Sequence, residues 1–189
     1  MPAPALRPSL IHKNFNQRSW CLRYLPSVPF NRTNVTIRKA ESRDTEAITC
    51  VINAAFRAAE SFFIERDRTS TLKIQAMAAT GSFLVAEAAG DVAACVYLEI
   101  KGERAYFGLL ATDPVYQRRG LAGMLISAAE SYGREHGCKF MDIRVVNLRS
   151  ELPGLYRKLG YAETGTEPFP PDANPKLPCH FIVMSKALM

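Results

Sequence analysis

The sequence predicts an α/β (α+β) fold in a single domain, built on a mixed, mostly antiparallel sheet of about six to seven strands with about four helices. Three observations predict it. Apolar runs of strand length at Ser82 to Ala88, Val92 to Ile100 and Arg104 to Ala111 are split by Ala89-Gly90-Asp91 and Lys101-Gly102-Glu103, the pattern of an antiparallel meander. A strongly amphipathic helix then precedes a further strand, Phe140 to Val146, which should lie parallel to the strand before the helix through a right-handed crossover. A chain of 189 residues with 48% apolar content fits one domain and a tail.

The tail comes first. Residues 1–33 carry Pro2, Pro4, Pro8, Pro26 and Pro29, which exclude a long regular element, and the domain is expected over 34–189. Between the prolines, Ile11, Phe15, Leu22 and Leu25 recur near helical spacing among Lys13, Arg18 and Arg23. An acid-poor, amphipathic start of this kind resembles an organelle transit peptide; a disordered extension of a cytoplasmic protein is the alternative. The net charge of +6 belongs to this end of the chain, because residues 1–40 hold seven basic and no acidic residues, which leaves the remainder at −1.

Val35-Thr36-Ile37-Arg38 alternates with period two and reads as the first strand. Asp44 stands where it could cap a helix whose Ile48, Val51, Ile52, Ala55, Phe56 and Ala59 share one face. A second helix is expected from about Thr69 to Ala79, stopped by Gly81. After the meander, Leu121, Met124, Leu125, Ala128, Ala129 and Tyr132 form a single stripe, and Gly137 can close that helix. Ser150 can cap a short helix that tolerates Pro153 in its first turn and ends at Gly160. Tyr161 to Thr164 and Phe181 to Met184 are the last strands, joined by a loop with Pro168, Pro170, Pro171, Pro175 and Pro178.

The five cysteines are odd in number and widely spaced, with no C-x-x-C pair. That argues against a disulfide scaffold and a zinc site and suits a reducing compartment. No uninterrupted apolar run reaches membrane-spanning length, so the chain is expected to be soluble. Nucleic-acid binding finds little support, since the basic charge is confined to the tail and no aromatic stacking motif accompanies it.

The stretch that carries chemistry is Gln117-Arg118-Arg119-Gly120-Leu121-Ala122-Gly123, which joins the end of a strand to the start of a helix. The first N–H groups of a helix lack internal partners and carry partial positive charge, so they bind phosphate oxygens well. Arg118 and Arg119 add full charges, while the missing side chain at Gly120 and the lone methyl at Ala122 let a diphosphate approach. A basic, glycine-containing turn before a helix is also an ordinary structural element. No G-x-x-x-x-G-K-[ST] occurs, which argues against a nucleotide site of Walker type.

At these residues a family resemblance becomes specific. Leu110-Ala111-Thr112-Asp113-Pro114, followed by Gln117-x-x-Gly120-x-Ala122, resembles the signature of the GNAT superfamily of N-acetyltransferases. Asn147, followed by Leu155-Tyr156-Arg157-Lys158-Leu159-Gly160-Tyr161, resembles a later block of the same family. The resemblance covers about residues 34 to 186 and implies the element order β, α, α, β, β, β, α, β, α, β, β, with helices on both faces of the sheet.

It also implies acetyl-CoA as co-substrate and no metal. The diphosphate would lie on Gln117 to Gly123 and the pantetheine along the backbone of Leu110, Ala111 and Thr112, where the strands before and after the long helix splay apart. Asn147 would hydrogen-bond to it, although from the residues alone Asn147 reads equally as a strand-end turn residue. Tyr156 would protonate the leaving thiolate; from the residues alone it is a core aromatic sharing a face with Leu152 and Leu159. Many relatives place a Glu on the fourth strand, and this chain departs from that pattern, since Tyr106, Phe107, Gly108 and Leu109 stand there. Glu99 on the preceding strand, directly or through a water, is the candidate base, with a plain surface role as its alternative. One wall of the acceptor groove is expected from Phe62, Phe63, Glu65, Arg66, Asp67 and Arg68. The expected reaction is acetyl transfer to an amine, a small molecule rather than a protein, by a monomer or homodimer without membrane or nucleic-acid partners. A non-catalytic acyl-CoA sensor is the rival from another class.

Overall fold

Arg38 and Asp44 tie the first strand to the first helix, and the rest of the order follows from local patterns. This computed structural model describes residues 34–189; the tail assigned to residues 1–33, and the transit-peptide reading with it, lies outside the described residues. The elements are β1 (Val35–Lys39), α1 (Thr45–Glu60), α2 (Thr71–Thr80), β2 (Ser82–Ala88), β3 (Asp91–Lys101), β4 (Arg104–Thr112), α3 (Leu121–Glu135), β5 (Phe140–Val146), α4 (Glu151–Lys158), β6 (Ala162–Pro168) and β7 (His180–Ala187). They form one seven-stranded sheet in the order β1-β2-β3-β4-β5-β7-β6. Every neighbouring pair is antiparallel except β4 and β5, which the α3 crossover makes parallel.

Two cores lie on opposite faces of this sheet. Strand alternation sends Leu84, Ala86, Val96 and Phe107 toward α3 and α4, where Leu121, Leu125, Ala129 and Tyr156 meet them. Val85, Cys95 and Tyr97 point the other way, onto Ile48, Val51 and Ile52 of α1 and Ile74 of α2. The β2–β3 hairpin is a two-residue turn in which Ala89 (φ 52°) and Gly90 (φ 84°) are both left-handed, the twist that matches a right-twisted ribbon.

Local readings shift in a few places. Asp44 stands at the N-terminus of α1, but its carboxylate does not bond the helix amides. It accepts from Arg38 Nη1 and Nη2 at 2.6 and 2.9 Å and from the Glu41 N–H at 2.7 Å. α2 begins at Thr71 rather than about Thr69, with Ser70 as its cap, the Ser70 hydroxyl accepting from the Lys73 N–H. β6 runs on through Gly165 to Pro168, because as an edge strand it pairs only with β7 and tolerates a proline at its end. The proline-rich loop is correspondingly shorter.

The Arg38 hydrogen bonds hold the Asp44 carboxyl below its ordinary range, with the Glu41 amide adding to the effect against the cost of burial. A carboxylate whose native pKa is depressed adds stability above its unfolded pKa of about 4 and loses it as pH falls through the native value. Asp44→Asn should therefore destabilise the domain by about 2 kcal/mol at pH 7 in urea unfolding, and the gap to the wild type should close in acid.

Candidate active site

β4 and β5 part company halfway along. Their pairing covers only Arg104 to Tyr106 against Phe140 to Asp142, after which β4 continues to Thr112 and β5 to Val146 without pairing to each other. The departure coincides with a register shift of β4 against β3, where Leu109 takes a left-handed φ of 48°. A bulky residue there is strained, and an extra residue in the strand changes which face the next side chains occupy. Ala111 and Thr112 thus keep their β3 partners on one edge, and the strand from Leu110 to Thr112 lines a groove.

The loop after β4 is built to hold the start of α3 still. Asp113 accepts from the Val115 N–H at 2.9 Å, and Tyr116 is buried in the α3-side core. Gln117 Nε2 donates to the Thr112 carbonyl at 3.4 Å, and Arg119 lies over the Tyr116 ring at 5.6 Å. Arg118 (φ 60°) and Gly120 (φ 83°) are both left-handed, an arrangement that turns successive N–H groups inward. Among the described residues no side chain caps α3 at Gly120, so the N–H groups of its first turn are left for a ligand.

A groove of about 440 Å³ brings these parts together. Leu110, Ala111, Thr112, Gln117, Arg118, Gly120, Leu121 and Ala122 line it, with Ala55, Phe56 and Ala59 of α1 opposite. Arg119, Gly123, Asn147, Tyr156 and Glu99 are not among its lining residues. Asn147 is committed to the start of β7: its Oδ1 accepts from the His180 N–H at 2.9 Å and its own N–H donates to the His180 carbonyl at 3.0 Å. That contact leaves the Nδ2 donors outside it.

Tyr156 projects from α4 into the core between Phe107 and Tyr161, with ring centroids 6.2 and 5.7 Å away. Burial pushes its hydroxyl up to about 12, with Tyr106 adding to the rise and Arg149 opposing it. Glu99 faces Tyr106 across the β3–β4 ladder and is ion-paired with Lys101 at 3.0 Å. Its charge contributes, after burial, to the raised pKa of Tyr106.

The expected acceptor wall divides. Phe63 is fully buried against Phe169, Glu65 reaches out to Lys176 at 2.6 Å, and Asp67 pairs with Arg57. Of the wall's charged members, Arg68 lies against aromatic rings, 5.0 Å from the Phe56 centroid and 5.9 Å from that of Phe169. Reading the sequence missed two charged residues beside it, Glu60 and Arg149. Glu60 had a signal: it continues the apolar ridge Ile48, Ile52, Phe56 at steps of four, where a carboxylate is out of place. Arg149 had none, because its approach to α1 is tertiary. Among the described residues, no group of three or more His, Cys, Asp or Glu gathers as a metal ion would need, and no helix is long and apolar enough to cross a membrane.

Comparison with known proteins bears on the family and the fold. A family model described as the acetyltransferase (GNAT) family matches residues 47–161. An acetyltransferase of Yersinia pestis (strain Pestoides F) is 34% identical over 84 residues, which is 44% of this chain and 60% of the relative. The chain thus spans about 60% of the length of the curated relatives it matches. The ribosomal-protein-S18-alanine N-acetyltransferase of Escherichia coli is similar in fold, with a TM-score of 0.67, 18% identity and coverage of 82% of this chain and 94% of that one. YncA of Salmonella typhimurium, solved with its cofactor acetyl-CoA, has a TM-score of 0.64 and 22% identity, over 82% of this chain and 95% of that one.

Proposed function

Since the chain belongs to the acetyltransferase (GNAT) family, we propose that it moves an acetyl group from acetyl-CoA to an amine, a small molecule in preference to a protein, by direct attack with both substrates bound. The observation that carries the reading is the meeting, in one groove, of the unpaired β4 edge and the uncapped first turn of α3. The amides of Leu121, Ala122 and Gly123, with Arg118 and Arg119, would receive the diphosphate. The backbone of Leu110, Ala111 and Thr112 would take the pantetheine as a further strand takes its neighbour, and the Asn147 Nδ2 group stands at the end of β5 for a further hydrogen bond.

Acetyl-CoA, when bound, supplies a thioester carbonyl for the amine nitrogen to attack. Holding two reactants in line is worth most of the acceleration, so the chain needs no covalent nucleophile. Tyr156 would donate to the sulfur as the C–S bond breaks and its electron pair leaves with sulfur. An alkyl ammonium must first give up a proton, which at pH 7 costs roughly 4 to 5 kcal/mol for a pKa near 10.4. Glu99, held by Lys101, is the strand carboxylate offered for that proton, directly or through a water.

Thiol release measured with acetyl-CoA and a panel of small amines tests the reading. Release that depends on an added amine is the expected result. Tight acetyl-CoA binding with no acceptor-dependent release would make the protein a sensor instead.

A further inference from the structure

Glu60, the last residue of α1, is 5% exposed, and its Oε2 has no hydrogen-bond partner. Its two nearest cations, Arg68 Nη1 and Arg149 Nη1, each stand 3.8 Å away. That is close enough for attraction and too far for a hydrogen bond. A buried ion pair repays its desolvation only when hydrogen bonds fill its lone pairs and donors, so a closed structural pair would not keep this gap.

Arg68 shows the complementary deficit. Its guanidinium carbon lies 5.0 Å from the Phe56 ring centre and 5.9 Å from that of Phe169, cation–π contacts that leave its N–H groups to other partners. Among the described residues no carboxylate or carbonyl accepts a hydrogen bond from it. The neighbouring arginines differ: Arg144 donates to both oxygens of Glu167 and Arg149 Nε donates to Glu151 at 2.6 Å. Arg68 is therefore a preset fork with an unfilled edge beside a carboxylate with an unfilled oxygen.

Position ties the pair to the groove. Phe56, Ala59 and Arg149 line it; Glu60, one turn beyond Phe56 on α1, and Arg68 stand behind that lining rather than in it. The Arg149 charge opposes the rise of the Tyr156 pKa, and the Arg68 charge that of Tyr106. A group that fills both deficits carries a hydrogen-bond donor for Glu60 and a planar anion for Arg68.

We propose that the acceptor is a primary amine bearing its own carboxylate, of the α-amino-acid class, with its carboxylate on Arg68 and its amino group on Glu60. The proposal rests on the acetyl-transfer reading. Arg–carboxylate contacts are two-pronged and specific, so this pairing orients the amine as well as holding it. The ammonium proton passes to Glu60 Oε2, the freed nitrogen lone pair attacks the thioester carbon, and the electron pair of the broken C–S bond goes to sulfur. The Tyr156 hydroxyl donates a hydrogen bond to the developing thiolate, sulfur takes the second proton that nitrogen loses as the amide forms, and the proton held by Glu60 goes to solvent. Burial raises the Glu60 carboxyl against the lowering pull of both arginines, which makes it a better proton acceptor than an exposed carboxylate.

The test uses the full chain, with thiol release measured for a panel of L-amino acids beside their primary amides and decarboxylated amines, and with acetyl-CoA binding followed separately by calorimetry. The best amino acid should exceed its own amide by about tenfold or more in kcat/KM. Arg68→Met should erase that ratio by raising KM for the acid while leaving KM for the amide and acetyl-CoA affinity unchanged. Glu60→Gln should lower kcat and remove the acidic limb of its pH profile. An acid-to-amide ratio near one, or an equal loss on both acceptors in Arg68→Met, overturns the proposal while acetyl transfer stands. A failure to bind acetyl-CoA overturns the acetyl-transfer reading itself. Should Arg68→Met fail to fold, the wild-type ratio alone decides.

Discussion

Tyr156→Phe is expected to lower kcat for thiol release about 10²-fold while leaving acetyl-CoA affinity within about twofold. The ring contributes packing that Phe preserves, against Phe107 and Tyr161, so the change removes one hydroxyl from a filled core site. Because burial carries that hydroxyl up to about 12, it stays protonated across the physiological range and is available as a donor throughout. Full transfer to a thiolate of ordinary basicity, near 8.5, would be uphill by roughly 4 to 5 kcal/mol. The useful effect is thus a hydrogen bond that strengthens as charge collects on sulfur, which appears in kcat and not in ground-state binding. The same burial disfavours a bare thiolate and narrows that gap.

Tyr161→Phe is the natural control. Its hydroxyl donates to Glu130 Oε1 at 2.9 Å, within a group that includes Lys186, so its loss should act on stability and spare kcat. If Tyr156→Phe instead costs stability and leaves kcat unchanged, Tyr156 is the core aromatic that its helical spacing describes.

The fold was legible because its boundaries are local. Ala89-Gly90 announces a two-residue hairpin, the α3 stripe and Gly137 bracket a helix, and a helix between two strands dictates the parallel pair. What escaped depends on contacts between distant residues. The insertion of β7 between β5 and β6 is set by which edge remains unpaired after β5, and nothing in the strand sequences names that edge. Asp44 was legible as a cap by type, but Arg38 six residues earlier competes for the same carboxylate and wins with two charge-assisted bonds.

The candidate site divides along the same line. The loop from Gln117 to Gly120 is contiguous, so its composition speaks for its geometry. The opposite side is assembled from α1, the α1–α2 connection, the end of β5 and the β6–β7 loop. Phe63 and Arg68 stand together in the expected acceptor wall, yet Phe63 fills a small core with Ile64, Val146 and Phe169 while Arg68 lies against Phe169. A carboxylate on the Ile48-Ile52-Phe56 ridge was the one local trace of that arrangement.

Gly120→Val is expected to weaken acetyl-CoA binding by about 10²-fold or more in calorimetry, with a modest loss of thermal stability. At φ 83° a β-branched residue is strained by about 1 to 3 kcal/mol, and the chain can relieve that strain only by leaving the left-handed region. Doing so swings the first amides of α3 away from their common focus, and an anion held by several aligned donors loses them together. Strain alone must be separated from this effect. Gly102, in the β3–β4 turn at the far end of β4 from the groove, has φ 58° and open space around a would-be Cβ. Gly102→Val should therefore cost similar stability and leave acetyl-CoA affinity intact. Equal affinity losses in the two variants, or none in Gly120→Val, would mean that the diphosphate is not held by the first turn of α3, and the groove would need another ligand to explain it.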